Sequence, residues 1–166
     1  LAVALSGCVQ LAGTFPGGSA TESTMSPSAP STSQAVTRGV VHEKLSAGPW
    51  TVTVEDAHRT SDSVGGAKPV AGSEFLLVEV GFENKGTDAL EVRPQDFKLV
   101  SSSGKTMPPA ETSQAAFNAH SMRPVSPRFG TSSVFVFGVP KGAERYTFEF
   151  SPTVGGKTTR LEWQVP

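Results

Sequence analysis

The chain has 166 residues, room for one domain and a tail, and a formal net charge of -1. That charge excludes the basic stripe with which nucleic-acid binders hold phosphate, so no nucleic acid is expected as a partner. Only 17% of residues are charged, while glycines number 17 and prolines 13, which suits turn-rich β structure and linker better than helices.

The single cysteine leaves no intrachain disulfide to form. No run reaches the ~20 apolar residues that a membrane-spanning helix needs. At the front, Leu1–Ala2–Val3–Ala4–Leu5–Ser6–Gly7–Cys8 is apolar and ends in small residues before the cysteine. Leu5–Ser6–Gly7–Cys8 resembles the lipobox of bacterial lipoproteins. The small side chains let a peptidase reach the backbone, and the free thiol takes a diacylglyceryl group. Residues 1–8 are therefore expected to be the end of a lipoprotein signal peptide, although no basic n-region precedes them. Cys8 is the expected lipidation site, and two or more acyl chains, palmitate among them, at ~0.8 kcal/mol per methylene give a stable anchor. The expected location is the outer face of the bacterial cytoplasmic membrane, with the membrane as a partner through that lipid.

Residues 9–37 read as a disordered linker rich in Ser, Thr, Pro and Gly, as in Ser26–Pro27–Ser28–Ala29–Pro30–Ser31. Such a composition buries too little apolar surface to offset chain entropy. The folded domain is expected over 38–166. Val40–Leu45 reads as a short first strand. Trp50–Glu55 alternates with Trp50, Val52 and Val54 inward, and Arg59–Lys68 reads as a polar loop with a double glycine. Phe75–Asn84 is the clearest strand: Leu76, Val78, Val80 and Phe82 share one face, with Glu79, Gly81 and Glu83 on the other. A tight turn follows, in which Gly86 can take positive φ without strain.

Leu90 and Val92 form a short run stopped by Arg93–Pro94, and Phe97 and Leu99 resume it. Met107–Gly130 has no sustained period and holds Pro108, Pro109, Pro124 and Pro127; Ala110–Phe117 reads as a helical turn or two within it. Val134–Phe137 is continuously apolar, which predicts burial on both faces. Tyr146, Phe148 and Phe150, then Leu161, Trp163 and Val165, alternate with polar residues around a hairpin at Gly155–Gly156–Lys157. Seven or so short strands at this spacing predict an all-β, immunoglobulin-like antiparallel sandwich behind a disordered linker.

The strands carry a resemblance. Trp50–Val54, Phe75–Gly86 with its Val-x-Val-x-x-x-Asn-x-Gly pattern, Phe97–Val100 before Gly104–Lys105, and Val134–Pro140 follow one another as in a known bacterial family. The chain resembles the extracytoplasmic immunoglobulin-like domains of unknown function found on lipoproteins of Gram-positive bacteria. That family is related to the mycobacterial secreted immunoprotective antigen. Some members bear the label telomeric repeat-binding factor, which nothing in this composition supports. The resemblance implies a two-sheet sandwich and export, and brings no catalytic residues.

The residues themselves offer no enzyme chemistry, and none is expected. No serine sits in a Gly-x-Ser-x-Gly elbow. Glu55 and Asp56 are consecutive strand residues, expected on opposite faces. His120–Ser121–Met122, with Met107 at the other end of the long loop, joins thioether and imidazole, a set suited to copper(I). It resembles part of the motif of exported copper chaperones, but the upstream His-Met pair is absent. The other reading of these residues is packing by Met107 and Met122, with His120 in water. Arg123, Arg128 and Phe129 in the same loop are residue types favoured at protein interfaces. The function expected is thus a membrane-anchored binding or scaffold module for a protein partner at the cell envelope, with no cofactor. The alternative is an exported copper(I)-binding protein using Met107, His120 and Met122.

Overall fold

A computed structural model describes residues 35–111, 124–142 and 144–166. The strands are β1 (Val36–Val40), β2 (Lys44–Ala47), β3 (Trp50–Thr60), β4 (Ser73–Asn84), β5 (Phe97–Ser101), β6 (Thr106–Met107), β7 (Gly130–Pro140), β8 (Tyr146–Phe150), β9 (Thr153–Val154), β10 (Lys157–Thr158) and β11 (Arg160–Val165). Alternation along β4 decides its place. Leu76, Val78, Val80 and Phe82 are buried, and β3 and β7 flank it in a four-stranded sheet ordered β2-β3-β4-β7. A second sheet, ordered β1-β11-β8-β5-β6, faces the first, and β9 and β10 form a small hairpin of their own. The expected immunoglobulin-like sandwich is what forms.

Five local expectations need correction. Val40–Leu45 is not one strand: His42 takes φ 73°, a tight turn breaks the run, and β1 and β2 go to different sheets. β1 also starts at Val36, inside the stretch read as linker, and it pairs with β11 in parallel, whereas every other strand pair is antiparallel. β3 runs on to Thr60 because a bulge between Val54 and Asp56 resets its register. An extra residue shifts the alternation by one position. As a result Asp56 pairs with outward-facing Glu79, and the Glu55 side chain lies over outward-facing Gly81. The two carboxylates therefore share the outer face. Leu90 and Val92 form no strand; Leu90 makes a single bridge to Val125.

The core is aromatic. Phe82 from β4 and Phe135 from β7 meet Phe97, Phe148 and Phe150 from the opposite sheet. Phe97 stacks on Phe135 with centroids 4.1 Å apart and on Phe150 at 4.5 Å, while Trp50 sets its edge against Phe82 and Phe150. Val134–Phe137 is as dry as its composition predicts except at Val134, which is partly exposed. The same bulge turns Arg59 inward. Its guanidinium bonds Glu74 Oε1 (2.7 Å) and the carbonyls of Gly142 and Glu144, and lies over the Tyr146 ring, tying both sheets together. On the outer face of the second sheet, buried Glu149 and Glu162 are matched by Lys98, Arg160 and Arg38 at 2.7–2.9 Å. Unpaired, carboxylates at that burial would be costly.

Candidate functional site

Asn84 organises one end of the sandwich. Its side chain is fully buried, and every polar atom of the residue is used. The amide Nδ2 donates to the carbonyls of Asp88 (2.7 Å) and Val125 (2.8 Å), while Oδ1 accepts from Gly86 N–H (2.8 Å). Its own N–H donates to the Phe129 carbonyl (3.0 Å), and its carbonyl accepts from Arg128 N–H (2.8 Å). One side chain thus holds the turn after β4 to the segment that leads into β7. This explains the Asn-x-Gly pattern physically. Gly86 makes no use of the positive φ open to it; a Cβ there would come within 2.9 Å of Pro49 and 3.1 Å of Asn84 Oδ1. The glycine answers a close approach.

What this frame presents is Phe129. The ring is 68% exposed, an unusual setting for a phenylalanine, and the preceding Arg128 takes φ 65°. Positive φ in a residue with a long side chain is uncommon and persists only when its surroundings fix it. Here the bonds to Asn84 do so. Beside it, Gly130, Thr131 and Ser132 help to line a shallow trough of about 430 Å³ on the outer face of the four-stranded sheet, with Lys44, Thr53, Glu55, Gly81 and Glu83. Hydrogen bonds and charge from Lys85 and Lys44, at 2.6 and 3.3 Å, hold the Glu83 carboxyl below the usual range. At the same end, a cleft of about 270 Å³ opens between residues 89–96 and the β9–β10 hairpin, with Trp50 at its base. Asp96 stands at its edge with Arg93 Nε 3.5 Å away; burial pushes the Asp96 carboxyl up despite the arginine.

Of the residues expected to matter, Cys8, His120, Met122 and Arg123 lie outside the described residues, as does most of Ala110–Phe117. Met107 sits on β6 opposite Leu99 and packs against the core. The chain just beyond it lies beside β7, where Ala110 N–H donates to the Val136 carbonyl. Phe129 is seven residues back along that strand, roughly 23 Å at 3.3 Å per residue. Met107 and the Arg128–Phe129 pair are therefore not brought together. His42 occupies a turn, and His58 Nδ1 lies 2.6 Å from Asp56 Oδ2 on the outer face. Among the described residues no three His, Cys, Asp or Glu side chains form a metal-sized group. Sequence reasoning missed Asn84 as a hub, the aim of Glu55 and the Trp50 cleft. Only the Asn-x-Gly spacing pointed to the first.

Residues 40–160 match the family model described as "Domain of unknown function (DUF4352)". The chain belongs to this family. Among solved structures, the DUF4352 chain is similar to ycdA of Bacillus subtilis, described as a candidate lipoprotein, at 19% identity and TM-score 0.61. That match covers 74% of this chain and 38% of ycdA, so the chain spans well under half of that protein's length. The yjhA protein of Bacillus subtilis matches at 21% identity and TM-score 0.60, over 75% of this chain and 98% of yjhA. The secreted protein MPT63 of Mycobacterium tuberculosis matches at 14% identity and TM-score 0.58, over 77% of this chain and 96% of MPT63. At these identities the likeness is one of fold. A comparison with curated proteins finds no match.

Proposed function

We propose that this DUF4352 chain is an extracytoplasmic binding module, anchored by lipid at Cys8 and held off the membrane by residues 9–35. Its partner is a protein of the cell envelope, met by the sandwich end built around Asn84. The observation that carries this reading is Phe129: a 68% exposed aromatic on a backbone pinned by a fully buried side chain. Aromatic and arginine side chains on rigid backbone make effective interface anchors, because little entropy is lost when they dock. The Leu5–Ser6–Gly7–Cys8 motif supports the anchor. A lipoprotein-described and a secreted protein among the fold relatives agree with export.

Two experiments test the two halves. A photo-reactive phenylalanine at position 129, irradiated in intact cells, is expected to give one discrete adduct. The same group at Val70, which is 77% exposed but at a different loop, should give none. Equal labelling from both positions, or none from either, overturns the binding face. Labelled palmitate should enter the intact chain and not the Cys8→Ala variant; incorporation that ignores the substitution overturns the anchor.

A further inference from the structure

We propose that the cleft based on Trp50 is the anchor pocket of this binding face, taking one apolar side chain of a protein partner whose neighbouring carbonyl accepts from the Trp50 indole N–H. The proposal rests on the binding reading above and names what that face grips.

The two tryptophans make the case by contrast. Trp163 donates its indole N–H to the Glu43 carbonyl at 3.2 Å. Trp50, only 2% exposed, has Phe82 and Phe150 as ring partners and no hydrogen bond for Nε1 among the described residues. Nε1 is not among the buried polar atoms closed off without a partner, so it reaches solvent, and Trp50 lines an open cleft. The walls supply the rest. Leu90 and Val154, partly buried and packed against the core, give the cleft an apolar wall with Pro152, while Glu91, Arg93, Asp96 and Thr153 give it a polar one. About 270 Å³ is room for one leucine- or phenylalanine-sized group.

The edges set the partner's character. Glu91 and Asp96 face a single Arg93, an excess of one negative charge when both carboxyls are ionised, which favours a neutral or cationic segment. The cleft also adjoins the surface already described. Trp50 pairs with Asn84 across β3 and β4, and Leu90 exchanges both backbone hydrogen bonds with Val125, whose carbonyl Asn84 also holds. A hole and an exposed ring on one rigid end form a hot-spot arrangement.

The test is a titration of the full chain with N-acetyl-L-leucinamide, followed through the two indole N–H resonances by NMR. The Trp50 signal should shift saturably, with half-saturation on the order of 1–10 mM for so small a ligand. Trp163 should stay still, and N-acetylglycinamide, which has the carbonyl without the side chain, should do nothing. Ala89→Arg, a change at an exposed position on the edge, should fill the cleft and abolish the shift without disturbing the fold. No saturable shift, or equal shifts from both amides, overturns the proposal. So does an undiminished position-129 adduct in cells carrying Ala89→Arg, an outcome that would leave the wider binding face standing. Probe binding without any cellular adduct would keep the pocket and remove the face.

Discussion

At the scale of single residues, Asn84 carries the clearest prediction. Asn84→Ala strands the Asp88 carbonyl and the Gly86 N–H, and leaves the Val125 carbonyl with Leu90 N–H alone. Buried groups left without partners cost ~1–3 kcal/mol each, and relaxation recovers part of that, so a loss of about 3 kcal/mol is expected in urea unfolding. Asp96 gives a prediction of opposite sign. Because burial raises its folded pKa, the native state binds that proton more tightly than the unfolded chain does. Its contribution is therefore harmless below the unfolded value, and stability declines as pH rises through the carboxylate range. Asp96→Asn should then be more stable than the parent at about pH 7 and indistinguishable at about pH 3, by urea melts at both. Glu83 works the other way: its lysine partners lower its pKa, so the small surface contribution it makes is present at neutral pH and fades on acidification.

At the scale of elements, the bulge in β3 decides more than its one residue suggests. Deleting Glu55 would close the bulge and leave the residues beyond it on their present faces: with Asp56 next to Val54, alternation keeps Ala57 and Arg59 inward and Asp56 and His58 outward. The Arg59 contacts with Glu74 and Tyr146 should therefore survive the deletion, with a urea midpoint near that of the parent, whereas Arg59→Ala, which strands Glu74, should lower the midpoint clearly. This element also shows what a sequence can and cannot disclose. Phe75–Asn84 could be read correctly because period two needs no knowledge of neighbours. β3 beyond Glu55 could not, since a bulge breaks the very period that reveals a strand. Val40–Leu45 looked continuous because a positive φ at His42 leaves no mark in composition. The candidate site was hidden for another reason. Asn84 meets Val125 some forty positions later, and the Trp50 cleft needs three separate segments. Spacing along the chain carries no trace of such meetings. Arg128 and Phe129 were picked out only because their types are common at interfaces.

At the scale of the whole molecule, the two sheets are fused through one aromatic cluster, and Phe97 touches both sides of it. Phe97→Ala should cost about 3–5 kcal/mol, with a single cooperative transition retained by fluorescence and far-ultraviolet dichroism alike. The parallel pairing of β1 with β11 has a mechanical side. Val36 lies beside Arg160 and Val40 beside Gln164, so the two strands leave their ladder from opposite ends. Tension arriving through the residues before Val36, opposed by a grip near Val165, would run along the ladder and not across it. All the rungs would then strain together instead of parting one by one like a zip. A domain pulled at those two points is thereby held by its strongest direction of resistance.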